Sequence, residues 1–209
     1  LDPVDIWFKS EAFAEALVKM ARQYRFDGVL INLPGRGDEI THEVKSIQRG
    51  GDETRVNWKN GYYTTIPHDD NPHYYNPDGE RLFPSFDEID PEKLFYVEPW
   101  DITEVKYPYR WGFSHEIPAF ENYFPDYHFD TIRHVKKMAG DSLSVQSEIF
   151  SPWSQFLELL NYENALMAIL DDPGKCKAIL ERLTEGAIAL ASKQAEEKVD
   201  AILISSAFA

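Results

Sequence analysis

The stretch "VDAILISSAFA" (residues 199–209) decides the fold class. Val199 to Ser206 is a short, nearly continuous apolar run, rich in branched residues, directly after a long helical pattern. Such a run reads as a strand buried on both faces, the pattern of a parallel sheet. Parallel strands need crossover helices between them, so the unit of helix followed by buried strand should recur.

It recurs twice. "SEAFAEALVKMARQY" (10–24) has an apolar stripe of Phe13, Leu17 and Ala21, with Ala14 and Val18 beside it, and Ser10 as the expected N-cap. The apolar run "FDGVLINL" (26–33) follows at once and is closed by Pro34-Gly35. Further on, "FDTIRHVKKMA" (129–139) reads as a helix closed by Gly140, and "SLSVQSEIF" (142–150) as the strand after it. Ser151 and Pro152 then open a helix over 151–160, as N-cap and first residue. A short helix is expected over 162–170. Asp172-Pro173 start a long one over 172–199, with a core stripe of Cys176, Ile179, Leu180, Leu183, Ala187, Leu190, Ala191 and Ala195. Helix–strand repeats imply right-handed crossovers, which a doubly wound sheet and a closed (β/α)8 barrel both satisfy.

Between these units the pattern changes. "EITHEVKSIQ", "ETRVNW" and "YYTTI" (within 39–66) are β-rich and separated by Gly50-Gly51 and Asn60-Gly61, the latter a hairpin signal. They predict an antiparallel excursion. Residues 67–93 read as an irregular loop, and "LFYVEPWDITEVKY" (94–107) as containing a strand. Trp58, Tyr62, Tyr63, Tyr74, Tyr75, Trp100, Tyr107, Tyr109 and Trp111 concentrate in this region. They suit a small satellite core, or a lid over a flat apolar substrate.

The strands carry the candidate chemistry. Alternation along 142–150 sets Leu143, Val145 and Ile149 on one face and Ser144, Gln146, Glu148 and Phe150 on the other. In "GVLINL", Leu30 and Asn32 stand opposite Val29, Ile31 and Leu33; in "AILISS", Leu203 and Ser205 stand opposite Ile202 and Ile204. Asn32, Glu148 and Ser205 would then lie near the carboxyl ends of the strands, where α/β folds place their ligands. A structural ion pair for Glu148, and plain packing for Asn32 and Ser205, are the competing readings.

Other motifs carry less. His68, Asp69, Asp70 and His73 are metal-ligand types, but they sit in a Pro/Asn-rich loop without helical spacing, which reads as solvated. "PGRGDE" (34–39) is a loose glycine pair with no helix pattern after it, so it does not read as a phosphate loop. Cys176 falls on a helix core stripe and reads as a packed thiol.

Composition narrows the partners. The chain has 209 residues, enough for one large domain, with 43% hydrophobic and 27% charged residues. Its 36 acidic against 21 basic residues give a net charge of −15, which disfavours nucleic acid and anionic lipid. No apolar run approaches the ~18 residues of a membrane span. A lone cysteine rules out an intrachain disulfide and fits the reducing cytoplasm.

The segment 145–205 resembles the uroporphyrinogen decarboxylase superfamily, which includes the decarboxylase and the cobalamin-dependent methyltransferases. The resemblance rests on "FSPWSQFLELL" (150–160), a strand-end turn and helix. It continues through "ILDDPGKCKAILERLTEGAIALASKQAEEKVDAILISSAFA" (169–209), and "AEALVKMARQYRFDGVL" (14–30) matches an earlier helix and strand. It implies a (β/α)8 TIM barrel. Residues 1–209 would be a single, incomplete barrel domain holding strands two to four, with 39–128 as a β-rich aromatic insertion. Further strands, from this chain or a partner, are then expected to cover the edge of 199–206.

The resemblance also weighs activities. The decarboxylase's catalytic Asp falls on Pro34 here, its substrate-contacting Tyr falls on Glu158, and its Arg-rich first-strand motif is absent. A corrinoid-dependent methyltransferase is therefore the expectation, with a corrinoid (cobalamin) on a partner protein. Zinc would be held by ligands outside this segment. Glu148 is the expected catalytic residue, and Asn32, Gln146, Trp153 and Ser205 the expected substrate contacts; no metal ligand is assigned. A methoxylated aromatic is the suggested donor. The alternatives are a decarboxylase and a non-catalytic binding protein.

Overall fold

The computed structural model describes residues 2–37, 39–42, 44–70, 72–79, 83–96 and 124–206. The chain divides into two units, one of residues 1–42, 124–149 and 190–204, the other of 43–123, 150–189 and 205–209.

The first unit begins with α1 (Pro3–Phe8). Asp2 caps it by accepting from the Val4 N–H at 2.9 Å, and Pro3 occupies the first turn. This helix was not expected. It also shifts the cap of α2 (Ser10–Tyr24): the N-cap is Lys9, and Ser10 lies inside the helix. Ser10 cannot cap, because its Oγ accepts from the Arg36 N–H at 2.9 Å. α2 buries Ala14, Leu17, Val18 and Ala21 and packs on α4 (Asp130–Ala139), which buries Ile132, Val135 and Ala139. Gly140 ends α4 with φ +54°.

The strands β1 (Gly28–Ile31) and β6 (Ser144–Phe150) pair in parallel, Val29 with Val145 and Leu30 with Gln146. At Gly28 a Cβ would come within 2.8 Å of the Ser144 carbonyl, so only glycine lets the strands close. β7 (Ala201–Ser205) adds the third strand, in the order β1-β6-β7. Asp200 N–H donates to Val145 O at one end of that pair, and Ser151 N–H to Ser205 O at the other, both at 2.8 Å, so the two strands run the same way. Consecutive helix–strand units thus lie side by side, as the sequence predicts. β7 is not buried on both faces among the described residues, because it stands at the sheet edge: Leu203 is 48% and Ile204 69% exposed.

The second unit holds an antiparallel sheet of four strands in the order β2-β3-β4-β5. These are β2 (Val44–Arg49), β3 (Glu53–Trp58), β4 (Tyr63–Pro67) and β5 (His73–Tyr75). Gly50-Gly51 and Asn60-Gly61 make its turns, Gly61 with φ +90°. Two expectations are corrected. "EITH" is a helical turn, α3 (Glu39–His42), not the start of a strand. β5 falls in the stretch read as irregular, because its Tyr74 and Tyr75 stack on Tyr62 and Tyr63 at 5.4 and 5.2 Å. Val56, Trp58, Thr64, Ile66 and Tyr74 share the buried face. The strand expected within 94–107 lies almost wholly outside the described residues.

The helices of this unit are α5 (Pro152–Leu160), α6 (Tyr162–Asp171) and most of α7 (Pro173–Glu196). Ser151 caps α5 by accepting from Ser154 N–H at 3.1 Å, Asn161 caps α6, and Asp172 accepts from Lys175 N–H at 2.9 Å. Their core joins Phe156, Leu159, Leu160, Cys176, Ile179 and Leu183 with Ile89 and Leu94. Near its C-terminus α7 departs from the expected stripe: Ala195 is exposed and Gln194 is buried, because the inward position there meets a polar partner, Ser147.

Candidate functional site

On β6 the burial alternates. Val145, Ser147 and Ile149 are buried; Ser144, Gln146, Glu148 and Phe150 are half-buried. On β1, Val29 and Ile31 are buried and Leu30 is half-buried. The register sets Leu30 beside Gln146 and Ile31 beside Ser147; continued one residue past the end of β1, it sets Asn32 level with Glu148. Asn32, Gln146 and Glu148 therefore share one face of the parallel pair. Asn32 and Glu148 lie towards its carboxyl end, where a ligand can reach them.

The Glu148 carboxylate makes no ion pair and no side-chain hydrogen bond among the described residues, so the structural ion pair is not found there. Its backbone is held instead. Gln194 donates from Nε2 to the Glu148 carbonyl at 3.3 Å, and Ser147 donates to Gln194 Oε1 at 2.8 Å. Gln146 Nε2 donates to Ser144 Oγ at 3.4 Å. The row can accept hydrogen bonds through one carboxylate and two side-chain amides, and can balance one positive charge.

The other two expected contacts lie in the second unit. Trp153 is half-buried, its ring 5.9 Å from Phe156 and packed on that unit's core. Ser205 closes β7, and its carbonyl takes the Ser151 N–H. The hydroxyl contact at this turn comes from its neighbour: Ser151 Oγ donates to Ser206 Oγ at 3.1 Å.

Sequence reasoning passed over Arg36. The loop after β1 is clamped on two sides. Gly35 N–H donates to the His128 carbonyl at 2.7 Å, and Arg36 N–H to Ser10 Oγ. A Cβ at Gly35 would collide with the Tyr127 carbonyl. The clamp leaves Arg36 only 7% exposed. His128 sits beside it, and burial, then the Arg36 charge, hold its imidazole down at about 3. The sequence signal was the glycine at 35, one half of the loose pair in "PGRGD".

No group of three His, Cys, Asp or Glu side chains able to hold a metal occurs among the described residues. His73 Nε2 lies 3.2 Å from Asp70 Oδ2. Cys176 is 3% exposed, and burial, reinforced by Asp172, pushes its thiol up, so it stays protonated and packed. The described residues thus do not fit a zinc site. No helix among them is long and apolar enough to cross a membrane.

Comparison with curated proteins and with solved structures gives no match. In the comparison with family models, residues 114–209 match the model described as Uroporphyrinogen decarboxylase (URO-D). The matched stretch carries β6, the Ser151-Pro152 turn, α7 and β7. This segment of the chain is similar to the uroporphyrinogen decarboxylase family.

Proposed function

We propose that the protein is a methyltransferase of this superfamily. It would move a methyl group between a small methylated substrate, with a methoxylated aromatic as the candidate donor, and a corrinoid on a carrier protein. One observation supports this reading above others: the row Asn32, Gln146 and Glu148 on one strand face holds a carboxylate and two amides and no cationic side chain. Such a row suits a neutral or cationic substrate. It would repel a porphyrinogen bearing many carboxylates, which needs cations at the mouth. Pro34, where the decarboxylase keeps a catalytic Asp, supports the same choice.

Glu148 would accept a proton or hydrogen bond from the substrate, and the Asn32 and Gln146 amides would orient it. Zinc and corrinoid would be supplied from outside the described residues. A (β/α)8 barrel is the architecture this proposal assumes.

The test is methyl transfer to cob(I)alamin with zinc present, across methanol, methylamines, thiols and aryl methyl ethers. Turnover with one class, lowered ~10²-fold by Glu148→Gln, is the expected result. The family match itself favours a second reading, a decarboxylase. Release of CO2 from uroporphyrinogen, with no methyl transfer, would establish that reading instead.

A further inference from the structure

The hairpin that joins β3 to β4 turns through Lys59, Asn60 and Gly61. Gly61 N–H donates to the Trp58 carbonyl at 3.1 Å, and Trp58 N–H to the Tyr62 carbonyl at 2.9 Å. Of the three turn residues only Gly61 takes a positive φ, +90°. This is the loop in which a type I turn is followed by a glycine bulge.

Asn-Gly is a reactive pair as well as a turn signal. The Gly61 backbone nitrogen can attack the Asn60 side-chain carbonyl carbon, because glycine has no Cβ to hold the chain away. The new C–N bond closes a cyclic imide, and the side-chain nitrogen leaves as ammonia, taking up the proton that Gly61 loses. Water then opens the ring at either carbonyl, giving aspartate or isoaspartate. One water enters and one ammonia leaves, with nothing oxidised or reduced. In this turn each reacting group is already engaged. Asn60 Oδ1 accepts from the Tyr62 N–H at 3.0 Å, and Asn60 Nδ2 donates to the Tyr74 hydroxyl at 3.3 Å. The Gly61 N–H is spent on Trp58, and a hydrogen-bonded amide gives up its proton only when it opens. Both ends of the Asn60 amide are pinned, so its carbonyl is not free to turn its face to the attacking nitrogen.

We propose that Asn60 is a latent self-modification site, held unreacted by the Tyr62 N–H and the Tyr74 hydroxyl and released to deamidate when the turn opens. Its co-reactant is water alone. The product carries a new negative charge, and the isoaspartate form also lengthens the main chain inside the turn. That insertion breaks the Trp58–Tyr62 pairing and the register of β3 against β4, so a turn that has reacted does not close again.

Peptide mapping of the whole protein by mass spectrometry, after incubation at mildly alkaline pH, tests this by following the aspartate and isoaspartate products of Asn60. The folded protein should form them at least about tenfold more slowly than the same chain in guanidinium chloride. Tyr74→Phe keeps the ring that stacks on Tyr62 and removes the hydroxyl, and should speed the folded reaction about threefold to tenfold. Tyr75→Phe makes the same change one residue on, at a hydroxyl with no hydrogen-bond partner among the described residues, and should leave the rate unchanged. Equal rates in the folded and unfolded chain overturn the proposal, as do equal rates in the two phenylalanine variants. Should Tyr74→Phe fail to fold, the comparison of folded and unfolded wild-type protein decides alone.

Discussion

The buried Ser147 hydroxyl on β6 donates to the side-chain oxygen of Gln194 on α7 at 2.8 Å. Ser147 is 0% and Gln194 5% exposed, so neither group has water as a substitute partner. Gln194→Leu leaves that hydroxyl unpaired in an apolar wall and should cost ~1–3 kcal/mol. Ser147→Ala/Gln194→Leu should restore much of the loss, because removing both partners leaves nothing unsatisfied. Urea unfolding of the two single variants and the double variant measures this; simple addition of the single losses would count against the coupling.

His128 makes stability depend on pH. It is 4% exposed, with Phe124 and Phe129 rings at 4.9 and 5.1 Å. Its pKa is lowered from 6.5 to about 3, so the unfolded chain binds a proton that the folded chain refuses. The stabilisation is complete above the unfolded value and is lost as pH falls from 6.5 towards 3. The slope should be on the order of 1 kcal/mol per pH unit near pH 5. Replacing His128 with Gln should flatten it, as read from unfolding midpoints across that interval.

Two glycines of α7 should respond oppositely to alanine. At Gly186 a Cβ would collide with the Phe95 carbonyl and lie 3.1 Å from Tyr96 Cβ, so Gly186→Ala should destabilise by ~2–3 kcal/mol. At Gly174 the nearest atom is Asp172 Oδ1 at 3.4 Å, and alanine there should be neutral or add up to ~1 kcal/mol through helix propensity. Thermal melts of the two variants give the comparison, and equal melting points would contradict it.

Cys176 should be chemically silent in the folded protein. Burial lifts its thiol pKa and closes off access. Labelling by an aromatic disulfide at mild alkaline pH should proceed only as fast as the second unit opens, and accelerate sharply in denaturant. Rapid native labelling would place the thiol at the surface.

Much of this fold was legible where a local rule and the tertiary environment agree. Ser151-Pro152 and Asp172-Pro173 start helices, Asn60-Gly61 turns a hairpin, and the alternation in 144–149 is reproduced by burial. Misreadings came where a distant partner decides. Ser10 resembles a cap, but Arg36 claims its oxygen. Ala195 looks like core, but the inward position of that turn is Gln194, chosen by Ser147. β5 has only three residues, and aromatic stacking holds it. Arg36 lies in an unremarkable loop whose clamp comes from Ser10 on one side and His128 on the other. That Gln146 and Glu148 share a face of β6 was foreseeable because strand alternation needs only the backbone period.

The two sheets also differ in how far along the chain their partners lie. Asn57 meets Tyr63 across one tight turn, whereas Ile31 must find Ser147 more than a hundred residues away. A short hairpin closes in ~1–10 μs, while distant pairing first requires a long loop to close. The antiparallel sheet should therefore form early in refolding and the parallel pair late. Pulse-labelled amide exchange should show β3 and β4 protected before β1, with the polar row assembled last.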